Sequence, residues 1–196
     1  EFRELSVEGP VPGASLADWP VNYQDMEPYY QQAEMDFGVA GKAGSNPFEA
    51  KRIQPYPNPP HPWRPSSHRF ARGARKLGYS PFPLPVAINP RVYGNRPGCI
   101  NGGACRGHGC PMHAKASTLA VSLPRALATG KLDLRANAAV YDLPVGKDGR
   151  LTGARYIDGA GKQQEVRAKQ VIVAAGALGT AQLLLLSRSG QFPDGL

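Results

Sequence analysis

The stretch QVIVAAGALGTAQLLLLSRSG, residues 170–190, constrains the fold more than any other part of the chain. A run of Val and Ile closes on Ala174, Ala175 and Gly176, and a Leu-rich pattern follows as far as Gly190. Apolar β-branched residues bounded by a glycine read as a buried strand, and the leucines beyond read as a helix. Strand, glycine, helix is the α/β pattern. Small residues at such a corner let a ligand approach the backbone, and a helix N-terminus favours an anion. The same residues also serve simply to pack a helix on a sheet, so the corner alone assigns no ligand.

The residues before it predict an antiparallel meander. KLDLRANAAVYDLPV (131–145) reads as one strand, and KDGR (147–150), with its Asp-Gly pair, as a tight turn. LTGARYIDG (151–159) is the next strand, and QQEVRAK (163–169) pairs back after the AGK turn. Towards the N-terminus a helix is expected over Asp25–Phe37, with Asp25 as its cap, Pro28 in its first turn and Gly38 as its stop. Met26, Tyr29, Tyr30, Ala33 and Phe37 would form its core face. Residues 41–65 include PYPNPPHPWRP and predict an extended connector, since repeated Pro blocks both helix and sheet. SSHRFARGARKLGYS (66–80) predicts a basic helix capped by Ser66 or Ser67 and closed by Gly78. A last short helix is expected near Arg125–Thr129, stopped by Gly130.

Charge is segregated. Residues 1–49 sum to −7, and residues 50–132 carry thirteen Lys and Arg without one carboxylate; the rest sum to +2, for a net +8. Such a stretch either faces a polyanion or packs against the acidic first segment. No apolar run approaches the roughly 18 residues of a membrane span.

All three cysteines lie in RPGCINGGACRGHGCPMHAKAS (96–117), spaced C-x5-C-x4-C-P. Cys99, Cys105 and Cys110 admit a disulfide with one thiol over, an iron–sulfur cluster, zinc with His113 as fourth ligand, or unligated thiols. The zinc reading, joined to the basic segment, gives a CCCH-like nucleic-acid-binding protein as the rival functional class. Against it, no aromatics interleave the cysteines for base stacking.

Order and motif together resemble the glucose-methanol-choline (GMC) FAD-dependent oxidoreductases. The matching features are AKAST, a helix, a strand ending NAAV, the meander turning at KDGR and DGAGK, and VIVAAGALGTAQLLLLSRSG; near the start, DWPVNYQDMEPYYQQAEMDFGVAG is similar to a segment of bacterial members. The resemblance implies an α/β (α+β) fold: a partial FAD-binding domain, with strand meander plus strand-Gly-helix, together with part of the substrate domain and Pro-rich loops. It implies a substrate-side region at 1–98, a Cys/Gly-rich segment at 99–118, and part of the FAD-binding domain at 119–196. The main chain of Val140 would hold the adenine of FAD, and Ala175 with Gly176 would lie against its ADP part. Some membrane-associated bacterial sugar and polyol dehydrogenases of this group carry a three-iron cluster on cysteines spaced roughly C-x5-C-x3-C-P. By that likeness Cys99, Cys105 and Cys110 would be cluster ligands, although the second gap here has one extra residue.

The family's Gly-x-Gly-x-x-Gly fingerprint and its catalytic His have no match in the chain. The resemblance therefore implies a central fragment, inactive alone, of an enzyme that oxidises CH–OH groups of an alcohol, polyol or sugar acid. An electron-acceptor subunit or cytochrome would be its partner, rather than nucleic acid. A non-catalytic relic of the enzyme fold is the remaining alternative.

Overall fold

The computed structural model describes residues 2–103 and 107–196. It comprises two compact units, Glu1–Lys131 and Leu132–Leu196. Both mix helix with irregular chain, and the second contains a small antiparallel sheet.

The first unit holds α1 (Glu4–Glu8), α2 (Tyr23–Phe37), α3 (Pro65–Lys76) and α4 (Ser122–Ala128). Helix α2 starts two residues before its expected boundary. Asn22 is the cap, its side chain accepting the Asp25 N–H at 3.0 Å while the Asp25 carboxylate accepts the Asn22 N–H at 2.9 Å. Asp25 thus closes a capping box rather than providing the cap. The earlier start moves Pro28 into the second turn, where its missing N–H leaves the Gln24 carbonyl without its helical donor. Gly38, at φ 69°, ends the helix as expected, and the Val39 N–H returns to the Glu34 carbonyl at 3.0 Å.

The expected core face of α2 is not the buried one: Tyr29, Tyr30 and Ala33 are exposed and Met26 and Phe37 only half-buried, while Glu27 is buried. The partner of the helix explains this. Arg52, from the irregular chain before α3, pairs with Glu34 through both guanidinium nitrogens, and the Ile53 N–H donates to Glu27 at 3.1 Å. A charged ligature, not an apolar core, decides which side faces inward. Burial acts against the Arg52 charge, but Glu34 and its acidic neighbours outweigh it and the guanidinium's pKa is raised.

Residues 41–64 contain no helix or strand, only an isolated bridge at Asn58. Helix α3 begins at Pro65 with Arg64 in the cap position and no side-chain cap, so Ser66 and Ser67 lie inside its first turn. Proline's fixed φ and absent N–H suit that first position. Helix α4 starts at Ser122, earlier than expected, and Gly130 follows it at φ 67°.

The second unit is the predicted meander, with β1 (Ala139–Asp142), β2 (Gly153–Ile157) and β3 (Gln163–Arg167) in the order β1-β2-β3, followed by α5 (Gly176–Leu186). The strand expected before α5 is not formed. Residues 171–174 belong to no strand, and Ile172 is 90% exposed. A strand needs a neighbour for its N–H and C=O groups, and none of the three strands pairs with this segment.

Polar groups hold the interior together. The largest fully buried side chains are Asn58, Asn89 and Ser187, and the buried apolar residues are Ala40, Ala71, Ala114, Val121, Leu143, Tyr156 and Leu183.

Candidate cofactor and cysteine sites

In the second unit, β1 is an edge strand whose Val140 stands opposite Tyr156 and is 45% exposed. Helix α5 packs beside β1. Its end is tied there by Ser187, whose hydroxyl accepts the Leu143 N–H at 3.0 Å and donates to the Leu183 carbonyl at 2.7 Å. A buried hydroxyl satisfied on both sides fixes one element against the other.

At the opposite end of α5, Gly176 adopts φ 79°, and a Cβ built there would meet nothing within 4 Å. Glycine is required by its left-handed backbone rather than by crowding. Ala174, Ala175 and Gly176 are exposed, and no side chain caps the helix. The unit thus presents an edge strand and an open, small-residue corner with uncapped N–H groups. These suit a ligand bound through main-chain contacts, and the residues fit the adenine and ADP end of FAD.

In the first unit, Cys99 and Cys110 are free, half-buried thiols on the wall of one cavity of about 310 Å³, with Ile100, Met112 and Ala114. Cys105 lies outside the described residues. Backbone N–H groups, that of Lys115 foremost, hold the Cys110 thiol below its ordinary pKa against an upward push from burial. Among the described residues no three His, Cys, Asp or Glu side chains are grouped to hold a metal ion, so Cys99, Cys110 and His113 do not make one set. A three-iron cluster would need Cys105 as its third thiolate.

Two residues that sequence reasoning missed anchor this segment. The Asn89 carbonyl accepts the Cys99 N–H at 2.8 Å, and the Asn89 N–H donates to the Ala114 carbonyl at 2.9 Å. The Asn89 side-chain amide donates to the Arg96 carbonyl at 3.2 Å. Arg96, 8% exposed, donates to the carbonyls of His113 (3.3 Å), Ala114 (3.2 Å) and Phe37 (2.6 Å) and to Asn89 Oδ1 (3.2 Å). Its backbone partners are carbonyl oxygens at the end of α2 and at the far foot of the cysteine segment, and burial lowers its pKa, with Arg125 adding to that effect. A guanidinium near the carbonyl end of a helix is electrostatically favourable. No local pattern marks Arg96 among thirteen similar cations, since its role depends on contacts distant in sequence.

A family model described as GMC oxidoreductase matches residues 14–194. The chain is 34% identical to 6'''-hydroxyparomomycin C oxidase of Streptomyces lividus over 91% of its own length and 32% of that relative. It is 33% identical to the gluconate 2-dehydrogenase flavoprotein of Pantoea cypripedii, with the same coverage, 91% and 32%. Against the 2-methyl-1,2-propanediol dehydrogenase of Mycolicibacterium austroafricanum the figure is 34%, over 100% of this chain and 34% of the relative. The chain spans about a third of the length of the curated relatives it matches. A match running through α2, the cysteine segment, the meander and α5 means that the chain belongs to the GMC oxidoreductase family.

Proposed function

We propose that this chain forms part of an FAD-dependent oxidoreductase that oxidises the CH–OH group of an alcohol, polyol or sugar acid. The observation that carries the reading is the family match over residues 14–194, joined to relatives named as oxidases and dehydrogenases of hydroxylated compounds. Bound FAD would supply the hydride-accepting ring. The chain's own contribution is binding. The main chain at Val140 holds the adenine, and Ala175 with Gly176 let the ADP part approach the backbone. The order around Ser187 keeps β1 and the helix beyond this corner in fixed relation.

A test uses the whole protein, purified and titrated anaerobically with polyols and sugar acids. Bleaching of a bound flavin's visible absorbance by one of them is the expected outcome; a colourless protein with no affinity for FAD overturns the reading. Gly176→Val, which places a branched side chain at φ 79°, is expected to weaken FAD binding at least about tenfold. Unchanged affinity would remove Gly176 from the site.

A finer reading adds a three-iron cluster on Cys99, Cys105 and Cys110 that relays electrons to an acceptor subunit. Two thiols on one cavity wall, and N–H donors converging on Cys110, support it. The name of another relative, the fructose dehydrogenase large subunit of Gluconobacter japonicus, supports the acceptor subunit alone. Iron analysis of protein prepared without oxygen is the test: about three iron atoms per chain are expected, and iron-free protein overturns the cluster.

A further inference from the structure

The first unit contains a second cavity, of about 580 Å³, that neither the cofactor nor the cysteine reading uses beyond sharing Cys99 on its edge. His61, Trp63, Arg64, Ser67 and Lys115 stand on its walls, and no Asp or Glu lines it. This follows from the sequence, because His61 through Lys115 fall within the 83 residues that carry no carboxylate.

Some cations of this stretch are answered by the acidic first segment: Arg52 by Glu34, and Arg125 by Asp36 at 2.8 Å. Arg64 and Lys115 are not. Among the described residues neither makes an ion pair or a side-chain hydrogen bond. Two unpaired cations at one cavity raise the local potential for an anion.

The walls are organised in advance. His61 Nε2 donates to the Ile88 carbonyl at 2.9 Å, and Ile88 in turn bridges Lys115 in antiparallel register, so both basic residues are rooted on one short piece of chain. Trp63 is fixed from behind by α3. The His68 ring meets it edge-on at 5.6 Å, and the Arg75 guanidinium lies 5.7 Å from its centroid. His68 and Arg75 are two helical turns apart on α3, so one face of the helix steadies the indole. An indole wall beside cations and a serine hydroxyl suits a molecule with a CH-rich face, hydroxyls and one anionic group.

We propose that this cavity binds a small hydroxylated organic anion, carrying a carboxylate or phosphate between Arg64 and Lys115 and resting its apolar face on Trp63. The proposal does not depend on the flavin reading.

The test is calorimetric titration of the whole protein with D-gluconate, inorganic phosphate and D-glucose at constant ionic strength. At least one of the two anions is expected to bind saturably, and glucose is not. Arg64→Gln and Lys115→Gln are each expected to raise that Kd about tenfold, the loss of one charge-assisted contact. Arg64→Lys should retain most of the affinity, and Arg91→Gln, an exposed cation that does not line the cavity, should change nothing. Binding of gluconate alone identifies a carboxylate ligand, and binding of phosphate alone a phosphate ligand. The proposal is overturned if neither anion binds below about 10 mM, if glucose binds as well as gluconate, or if both Gln variants leave Kd unmoved, which would place the ligand elsewhere in the protein.

Discussion

At the scale of single residues, buried polar side chains decide more than apolar ones. Arg96→Leu strips donors from three backbone carbonyls and from Asn89 Oδ1. It is expected to destabilise the protein by about 2–4 kcal/mol, with Arg96→Lys recovering part; a melting curve of each variant checks this. Gly38→Ala should be as damaging, since its Cβ would lie 2.7 Å from Tyr93 Cδ1 at a backbone φ of +69°. Burial, and after it the hydrogen bond to Glu27, pushes the Tyr23 phenol from its ordinary 10 up to about 12, and Tyr56 is raised further still for the same kind of cause. A raised folded-state pKa means stability that is complete below pH 10 and is lost as pH climbs through about 12. Phenolate absorbance during alkaline titration should therefore show two tyrosines lagging the rest, and Tyr23→Phe should remove one of them.

At the scale of elements, the meander was legible because its signals are local: an Asp-Gly turn, a second Gly-containing turn at AGK, and short loops between neighbours. The stop of α2 was legible for the same reason, in Gly38. The inward face of α2 was not. Its pattern of Met, Tyr and Phe suggests an apolar stripe, yet the buried side carries Glu27 and Glu34 because Arg52 and Ile53 come to them from the Pro-rich stretch. Nothing within the helix announces that partner. A strand through Val140 and a helix from Gly176 could be named in advance, whereas Asn89 and Arg96 could not. Within the sheet, a Cβ at Gly153 would fall 1.9 Å from the Val166 carbonyl oxygen. Gly153→Ala should force β2 and β3 apart and lower the melting temperature of the second unit, read by circular dichroism, at a cost of about 2–4 kcal/mol.

At the scale of the whole molecule, the informative fact is how much apolar surface lies open. Ile172 is 90% exposed and Leu178 88%, on either side of the corner that is proposed to face the cofactor. An apolar, β-branched segment left in water gains by pairing with another strand, which covers its side chains and takes up its N–H and C=O groups. Amides 171–174 are therefore expected to exchange with solvent quickly in residues 1–196 expressed alone and slowly within the whole proposed oxidoreductase. Hydrogen-exchange mass spectrometry of the two preparations checks the contrast, and equal rates would mean that the segment stays unpaired.

The paired anchorage of Cys99 and Ala114 on Asn89 has a consequence for what such a segment tolerates. With both feet set in one socket, the span between them is free to lengthen. Closing a loop of this size with one more residue costs less than about 0.1 kcal/mol, so an insertion leaves the rest of the unit untouched. Grafting a different loop between positions 99 and 114 should therefore leave the rest of the unit folded, as a melting curve of the grafted protein would show.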